Sequence, residues 1–303
     1  MFREVAQAGS FSEAADRLHY SQPAISHHVS RLELELGATL LIRKPRGLEL
    51  TDVGHEVLRL ADALLEQVHD AETELRAMVS QAPERMRLGG FQTSTVTVIA
   101  TALELFWLEH PSTRVTVLEA DPIDHIDGLR SGRLDLAIVF DHPEGPITLD
   151  ERVEVSYLHE DPMLIALPEQ HQLAALEEVP LEALRSERWL EGAGPEGSSS
   201  VFLMRACEAA GFEPDIVFAC GNYDAVQLLI RNGMGVAMVP ELSVGVLPAG
   251  VAIRRPARVS PIRRIGTAAL RTRHRPAHFG AMERALAAAF AGYRATRPRL
   301  TTR

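Results

Sequence analysis

The chain has 303 residues, which is enough for one small domain and one larger domain. Its composition, 46% hydrophobic and 24% charged, is that of an ordinary globular protein, and no apolar run is long enough to span a membrane. No signal peptide precedes the first helix, and Cys207 and Cys220 lack the spacing of a redox or metal motif. These features exclude the membrane-spanning and disulfide-rich classes, and we expect a cytoplasmic protein with free thiols.

Two helix-start signals lie close together near the beginning of the chain. Ser10 stands three residues before Glu13, which is the spacing of a capping box, and Ser21 precedes Gln22 and Pro23 in a second cap. Apolar residues then recur with helical spacing, one stripe for each helix: Phe11, Ala14, Ala15 and Leu18, followed by Ile25, Val29, Leu32 and Leu36. Because small alanines let two helices cross closely, the pattern predicts a helix-turn-helix.

The other face of the second helix is polar. Short polar donors and acceptors at this position suit base edges and phosphates in a major groove. A helical hairpin whose polar face only meets water is the alternative. The residues that we predict to contact DNA from this helix are Ser21, Gln22, Pro23, Ser26, His27, Ser30 and Arg31.

The stretch LIRKPRGLELT, residues 40–51, predicts two short strands around a Pro-Arg-Gly turn. In this wing, Arg43, Lys44 and Arg46 are predicted to contact the sugar-phosphate backbone, although a solvated surface hairpin is the alternative. The net charge of the whole chain is −10, but residues 1–51 hold six basic and six acidic side chains. Four of those six bases lie between Arg31 and Arg46, and a local basic patch is enough for phosphate contact.

A long helix is predicted after Thr51, to about residue 80. Its apolar positions alternate in steps of four and three, which is a heptad seam that calls for a partner helix. We therefore predict a homodimer, with a dimerisation seam of Val57, Ala61, Leu64, Val68, Ala71 and Leu75.

From residue 85 onward strands and helices alternate. Strands at 86–91, 114–119 and 134–140, with helices at 97–109 and 123–131 between them, predict a parallel sheet with helices on its faces. A second unit starts with a strand at 163–167 and continues with helices at 200–210 and 225–232 and strands at 216–219 and 236–239. A strand near 265–270 and a helix at 277–293 are expected to return to the first lobe. The pattern predicts two α/β lobes with a ligand cleft, as in periplasmic binding proteins.

Hydroxyl and amide side chains cluster at three strand-to-helix turns, in GGFQTST, GPEGSSS and CGNYDA. Together with free backbone N–H groups at helix starts, they favour a carboxylate or a similar anion. Ordinary helix capping is the alternative for each cluster. The predicted effector-binding residues are Thr93, Ser94, Thr95, Ser198, Ser199 and Asn222.

The sequence contains neither GxSxG, the nucleophile elbow of hydrolases, nor GxxxxGK[ST], the phosphate-binding loop of nucleotide-hydrolysing enzymes. The stretches DPIDHIDG and FDHP carry acids and histidines without metal-ligand spacing. We expect no catalytic function, no cofactor and no metal.

The stretch AGSFSEAADRLHYSQPAISHHVSRLELELGATLLIRKPRGLELTDVG resembles the DNA-binding domain of the LysR-type transcriptional regulators. The family carries several more residues before the position of Met1, so a short first helix is expected here. The matching positions are Gly9-Ser10-Phe11, Ala14-Ala15, Leu18, Ser21-Gln22-Pro23-Ala24, Ser26, Leu32-Glu33, Leu36-Gly37, Thr51 and Gly54.

The resemblance continues more weakly along nearly the whole chain. It implies a winged helix-turn-helix at 1–51, a dimerisation helix at 52–82 and an effector-binding domain at 85–303, with lobe I at about 85–160 and 266–295 and lobe II at about 161–265. It also implies a regulator that binds double-stranded DNA as a dimer or homotetramer and responds to a small effector, which the hydroxyl clusters described above predict to be anionic. The alternative is a periplasmic-binding-protein-type receptor without DNA function, which the helix-turn-helix and the missing secretion signal disfavour.

Overall fold

The computed structural model describes residues 1–44, 47–79, 84–143, 145, 147–148, 150–192, 198–245, 249–258, 261–271, 275 and 277–296. The chain divides into two compact units. The first comprises Met1–Ser80 and Arg130–Gly132, and the second Gln81–Leu129 and Arg133–Arg303. Among the described residues, no helix combines the length and apolar character that crossing a membrane requires.

The first unit contains the predicted helix-turn-helix and wing. Its helices are α1 (Phe2–Ala8), α2 (Phe11–Leu18), α3 (Gln22–Leu36) and α4 (Asp52–Val79). Strands β1 (Leu41–Lys44) and β2 (Gly47–Leu50) pair antiparallel. The Ser10 hydroxyl accepts a hydrogen bond from the Glu13 N–H at 3.5 Å, as a cap of α2 should. Ser21 occupies the N-cap position of α3, as predicted, but its side chain makes no capping hydrogen bond.

The core of this unit is small and built from both predicted apolar stripes. Ala14 and Ala15 are buried between the helices, where larger side chains would hold them apart. Thr51 caps α4 by accepting the Gly54 N–H at 2.9 Å. A β-carbon at Gly54 would lie 2.2 Å from the Leu40 carbonyl oxygen, so only glycine allows α4 to begin this close to the chain before β1. The buried core residues are Phe2, Val5, Ala14, Ala15, Ile25, Val29 and Leu40.

The second unit begins as a parallel sheet. Strand β3 (Arg85–Gly90) lies between β4 (Arg114–Glu119) and β5 (Leu136–Asp141) and is parallel to both. The helix predicted at 97–109 begins earlier, as a short α5 (Gln92–Ser94) that runs through a π-helical turn into α6 (Ala100–Glu109). Helix α7 (Pro122–Arg130) agrees with its predicted range to within one residue at each end.

The sheet is mixed rather than parallel throughout, because of one long strand, β6 (Val153–Pro168). Its first half, which was not predicted, pairs antiparallel with β12 (Ile262–Leu270), and β12 is antiparallel to β5. From Met163 onward, β6 instead pairs with β10 (Ala237–Pro240) and β11 (Val251–Pro256). We call the part built on β3–β5, β12 and the first half of β6 lobe I, and the part built on the second half lobe II.

Lobe II also contains β7 (Glu178–Val179), β8 (Arg188–Glu191), α8 (Ser200–Ala209), β9 (Asp215–Ala219) and α9 (Tyr223–Arg231). Strands β7, β8 and β11 were not predicted. The final helix α10 (Ala277–Thr296) packs on the main hydrophobic core through Met282, Leu286 and Phe290. Both cysteines are free thiols, and burial raises the pKa of Cys207 to about 12.

Candidate nucleic-acid interface and effector site

Helix α3 turns one face into the core and the other outward. Ile25 and Val29 are fully buried and set the rotation of the helix about its axis. The side chain of Ser26 is half-buried. The predicted reading residues that are exposed are Ser21, Gln22, Pro23, His27, Ser30 and Arg31.

Two of the predicted phosphate contacts are held in exposed ion pairs. Arg31 Nε lies 2.9 Å from Glu35 Oε1, and Lys44 Nζ lies 3.2 Å from Glu49 Oε2. Exposed pairs of this kind contribute about 0–1 kcal/mol, so a phosphate can replace the carboxylate at little cost. The side chain of Arg43 and the whole of Arg46 lie outside the described residues.

The predicted seam on α4 has different surroundings along its length. Val57 packs against the core of its own helix-turn-helix. Ala61 is half-buried, whereas Leu64 and Val68 are 62% and 55% exposed in the single chain. The side chains of Ala71 and Leu75 lie outside the described residues.

In the second unit, a buried arginine on β12 lies beside the point where β6 passes from lobe I to lobe II. Arg263 on β12 is 1% exposed, and its Nε lies 2.6 Å from Asp161 Oδ2 on β6. Its Nη2 donates to Thr93 Oγ1 at 2.7 Å, and its guanidinium stacks 5.1 and 4.8 Å from the ring centres of Phe91 and Phe140. Thr93, one of the predicted effector residues, is therefore part of a buried ion-pair network.

The hydroxyls beside Thr93 bind the backbone of Phe91 at the start of the helix, and that of Ser94 acts as a cap. Ser94 Oγ donates to the Phe91 carbonyl at 2.7 Å and accepts from the Phe91 N–H at 3.1 Å. Thr95 Oγ1 donates to the same carbonyl at 3.2 Å. Ser94 is fully buried, and these two bonds use both the donor and an acceptor position of its hydroxyl. We therefore leave Ser94 out of the proposed effector site.

The predicted residues of lobe II also have partners. Ser198 Oγ donates to Asp121 Oδ1, and the Ser198 N–H lies 2.9 Å from Asp121 Oδ2. Ser199 hydrogen bonds with the Tyr223 side chain. Asn222 is exposed and caps α9, accepting the N–H groups of Asp224 and Ala225 at 2.9 and 3.1 Å.

Tyr223 interacts with charged side chains that were not predicted as site residues from the sequence. The tyrosine is buried against Gly192, where a β-carbon would lie 2.3 Å from the ring. Burial raises the pKa of its hydroxyl, and the charge of Arg263 partly offsets the rise. Glu191 and Asp161 also interact electrostatically with this hydroxyl. We call Thr93, Asp161, Glu191, Tyr223 and Arg263 the inter-lobe cluster.

One set of described side chains could be considered for a metal ion. Ligand atoms of the buried His159, Asp161 and Glu241 lie within 4.8 Å of one another. However, Asp161 binds the Arg263 guanidinium with Oδ2 and accepts the Leu242 N–H at 2.9 Å with Oδ1. A cationic partner already occupies this carboxylate, and we assign no metal to the set.

A winged helix-turn-helix in one unit and a two-lobed α/β domain in the other define a DNA-binding regulator with a sensing domain. Residues 1–55 match the family model "Bacterial regulatory helix-turn-helix protein, lysR family", and residues 80–291 match "LysR substrate binding domain". The chain belongs to the LysR family of DNA-binding transcriptional regulators and carries that family's effector-binding domain. The family consists of transcription regulators rather than enzymes.

Curated relatives agree with this assignment. The regulator XapR of Escherichia coli is 29% identical over 243 residues, which cover 79% of this chain and 80% of XapR. AlsR of Bacillus subtilis is 30% identical over 79% of this chain and 78% of AlsR. A probable hydrogen peroxide-inducible genes activator of Streptomyces viridosporus is 32% identical over 81% of this chain and 77% of the relative.

Solved structures share the fold. Full-length BenM superposes with a TM-score of 0.62 at 23% identity, covering 98% of this chain and 96% of BenM. OxyR of Corynebacterium glutamicum gives 0.61 at 22% identity, over 97% of this chain and 91% of OxyR. CbnR, solved in complex with its target DNA, gives 0.57 at 22% identity, over 95% of this chain and 97% of CbnR.

Proposed function

We propose that this regulator reads operator DNA with the exposed face of α3, contacts phosphates through its wing, dimerises through α4 and responds to a small effector at the inter-lobe cluster. The observation that carries the proposal is the division of α3 into a buried apolar face and an exposed polar face. Ile25 and Val29 hold the helix so that His27 and Arg31 point away from the core. An exposed helix end rich in short polar side chains is what major-groove reading requires.

Direct readout and phosphate contact are divided between two groups of side chains. Gln22, Ser26 and His27 have the donors and acceptors that base edges match. Arg31 and Lys44 sit in exposed ion pairs and supply charge that is independent of sequence. CbnR, of similar fold, is solved with its target DNA, which supports the same use of this unit here.

Dimerisation through α4 is supported by the exposed leucine and valine in mid-helix. Leu64 and Val68 leave apolar side chains in water in the single chain, and a partner helix in the predicted register would cover them. We propose a homodimer built on this seam and a homotetramer on operator DNA.

The proposed effector carries an anionic group. The start of α8 already binds a carboxylate, since Ser198 holds Asp121 through both its N–H and its hydroxyl. An effector carboxylate can take the place of Asp121 there. Unequal binding to two lobe arrangements is what would shift the regulator between states.

Fluorescence anisotropy with labelled DNA tests the DNA-binding part. The full chain is titrated with its own upstream region, and with an operator selected from a random library, at about 50 and 200 mM salt. We expect tight, salt-sensitive, sequence-selective binding. His27→Ala should change the preference at one base position by about 1–3 kcal/mol, whereas Lys44→Ala should weaken all sequences similarly and flatten the salt slope.

Gln22→Ala has a matched control in Gln7→Ala, since Gln7 is an exposed glutamine on α1. The control should bind every operator variant as the wild type does. If no sequence is preferred by the wild-type protein, or if His27→Ala and Gln22→Ala both leave operator preference unchanged, α3 is not the reading helix.

A further inference from the structure

Glu191 is a buried carboxyl with an incomplete set of hydrogen bonds. It ends strand β8 in lobe II and is 6% exposed. Its side chain hydrogen bonds with Ser200 at the start of α8, while Oε1 is buried and has no hydrogen-bond partner within the described part of the chain. A buried polar atom without a partner is costly, so a site that keeps one is a candidate for binding something else.

The surroundings of Glu191 place this oxygen at the inter-lobe cluster. The Tyr223 hydroxyl interacts electrostatically with Glu191, Arg263 and Asp161. Gly192 follows Glu191 and gives the Tyr223 ring the room to pack here. Because β8 ends at this point, the carboxyl lies at the strand end where α/β lobes bind ligands.

The other buried carboxylate of the cluster shows what a purely structural role looks like. Asp161 is fully buried, but Arg263 and the Leu242 N–H occupy both of its oxygens. Burial raises the pKa of Glu191, the direction expected when no cation sits beside a carboxylate. The cluster therefore contains one satisfied acid and one acid with an open acceptor.

We propose that Glu191 recognises a hydrogen-bond donor of the effector, an ammonium, amide N–H or hydroxyl group, through Oε1. The inference rests on the proposed function, in which the effector binds at the inter-lobe cluster. Combined with the anionic group proposed above, it describes an effector with an acid at one end and a donor nearby, as in amino acids and hydroxy acids. Simple carboxylates without a donor would leave Oε1 unpaired and bind more weakly.

The first arm of the test needs no ligand. Thermal unfolding of the full chain is compared for the wild type, Glu191→Met and Asp161→Leu. If Glu191 is kept for binding at the expense of stability, Glu191→Met should melt at the wild-type temperature or up to roughly 2–4 °C above it. Asp161→Leu, which leaves Arg263 unpaired, should melt well below it. A Glu191→Met protein that melts clearly below the wild type overturns the proposal.

The second arm uses pairs of compounds that differ only in a donor: leucine and 4-methylpentanoate, phenylalanine and 3-phenylpropanoate, glutamate and glutarate. Members with a donor should raise the melting temperature of the wild type at concentrations at least about tenfold lower than those Glu191→Met requires. Equal stabilisation of the wild type and Glu191→Met by a donor-bearing member contradicts the proposal. If no compound stabilises either protein, the first arm decides alone. Failure of the wild-type protein to bind operator DNA selectively would instead overturn the proposed function.

Discussion

Ser198 of lobe II binds Asp121 of lobe I through both its backbone and its side chain. The Ser198 N–H lies 2.9 Å from Asp121 Oδ2, and its hydroxyl donates to Oδ1. Asp121 stands just before α7, where Oδ1 also accepts the Ile123 N–H at 3.1 Å. One carboxylate thus caps a helix of one lobe and holds the helix start of the other.

Removing this carboxylate should loosen α8. In Asp121→Ala, Ser198 loses both of its hydrogen bonds to the carboxylate, so we expect faster amide hydrogen exchange over residues 198–203. Hydrogen-exchange mass spectrometry measures it. The control is Asp124→Ala, an exposed acid in the same turn of α7. Unchanged exchange in Asp121→Ala would show that this contact does not hold the lobes.

Breaking the buried ion pair should be expensive. Arg263→Met leaves the Asp161 carboxylate buried without its cation, at a cost of about 3–5 kcal/mol in the free energy of unfolding. Chemical denaturation provides the measurement. Arg284→Met serves as the control, because the pair of Arg284 with Glu109 is exposed and should contribute about 0–1 kcal/mol. Similar costs for the two variants would contradict the structural role assigned to Arg263.

Ser94 should behave as a helix cap. Ser94→Ala removes two hydrogen bonds to Phe91 and should destabilise the protein by about 0.5–2 kcal/mol. Thr101→Ala, at an exposed position of α6, should change stability far less. Denaturant unfolding of both variants checks this. An unaltered midpoint for Ser94→Ala would mean that the cap contributes nothing.

Leu64→Asp tests the dimer seam. An aspartate in mid-seam would be buried unpaired between the two helices, so we expect the dimer dissociation constant to rise at least about a hundredfold, with operator binding lost. Analytical ultracentrifugation follows the mass. Leu176→Asp, which replaces a 41% exposed leucine of the second unit, should remain dimeric. A Leu64→Asp protein of unchanged mass would remove the seam from the proposal.

The raised pKa of Glu191 predicts a pH-dependent stability difference. Below the ordinary pKa near 4.5 the carboxyl is neutral in both the folded and unfolded states, and Glu191→Gln should match the wild type. As pH rises toward the folded-state pKa, the unfolded chain loses its proton first, so the wild type loses stability relative to the variant. Above the folded-state pKa the difference stays constant.

Unfolding free energies between about pH 3.5 and 8 measure this difference. Glu56→Gln provides a contrast, because Arg59 lowers the pKa of the exposed Glu56 carboxyl and the trend should reverse. A difference between wild type and Glu191→Gln that does not change with pH would contradict the prediction.

Much of the first unit was predictable because its signals are local. The Ser10 cap, the apolar stripes of α2 and α3 and the two wing strands each depend on residues a few positions apart. The same holds for α6 to α10, whose ranges were predicted to within a few residues. Caps and periodicity depend on backbone geometry that neighbouring residues determine.

Tertiary structure alone decided the rest. The first half of β6 has no continuous apolar run, and it becomes a strand because β12, a hundred residues later, pairs with it. In the sequence, Arg263 and Arg264 are adjacent and alike, yet only Arg263 is enclosed, since Asp161, 102 positions away, provides the charge that makes its burial tolerable. Whether Glu191 Oε1 has a hydrogen-bond partner is likewise decided by the side chains that the tertiary fold packs around it. The periodicity of apolar residues indicates which side chains face the core. The partners of each side chain come from distant segments of the chain, which the local pattern does not contain.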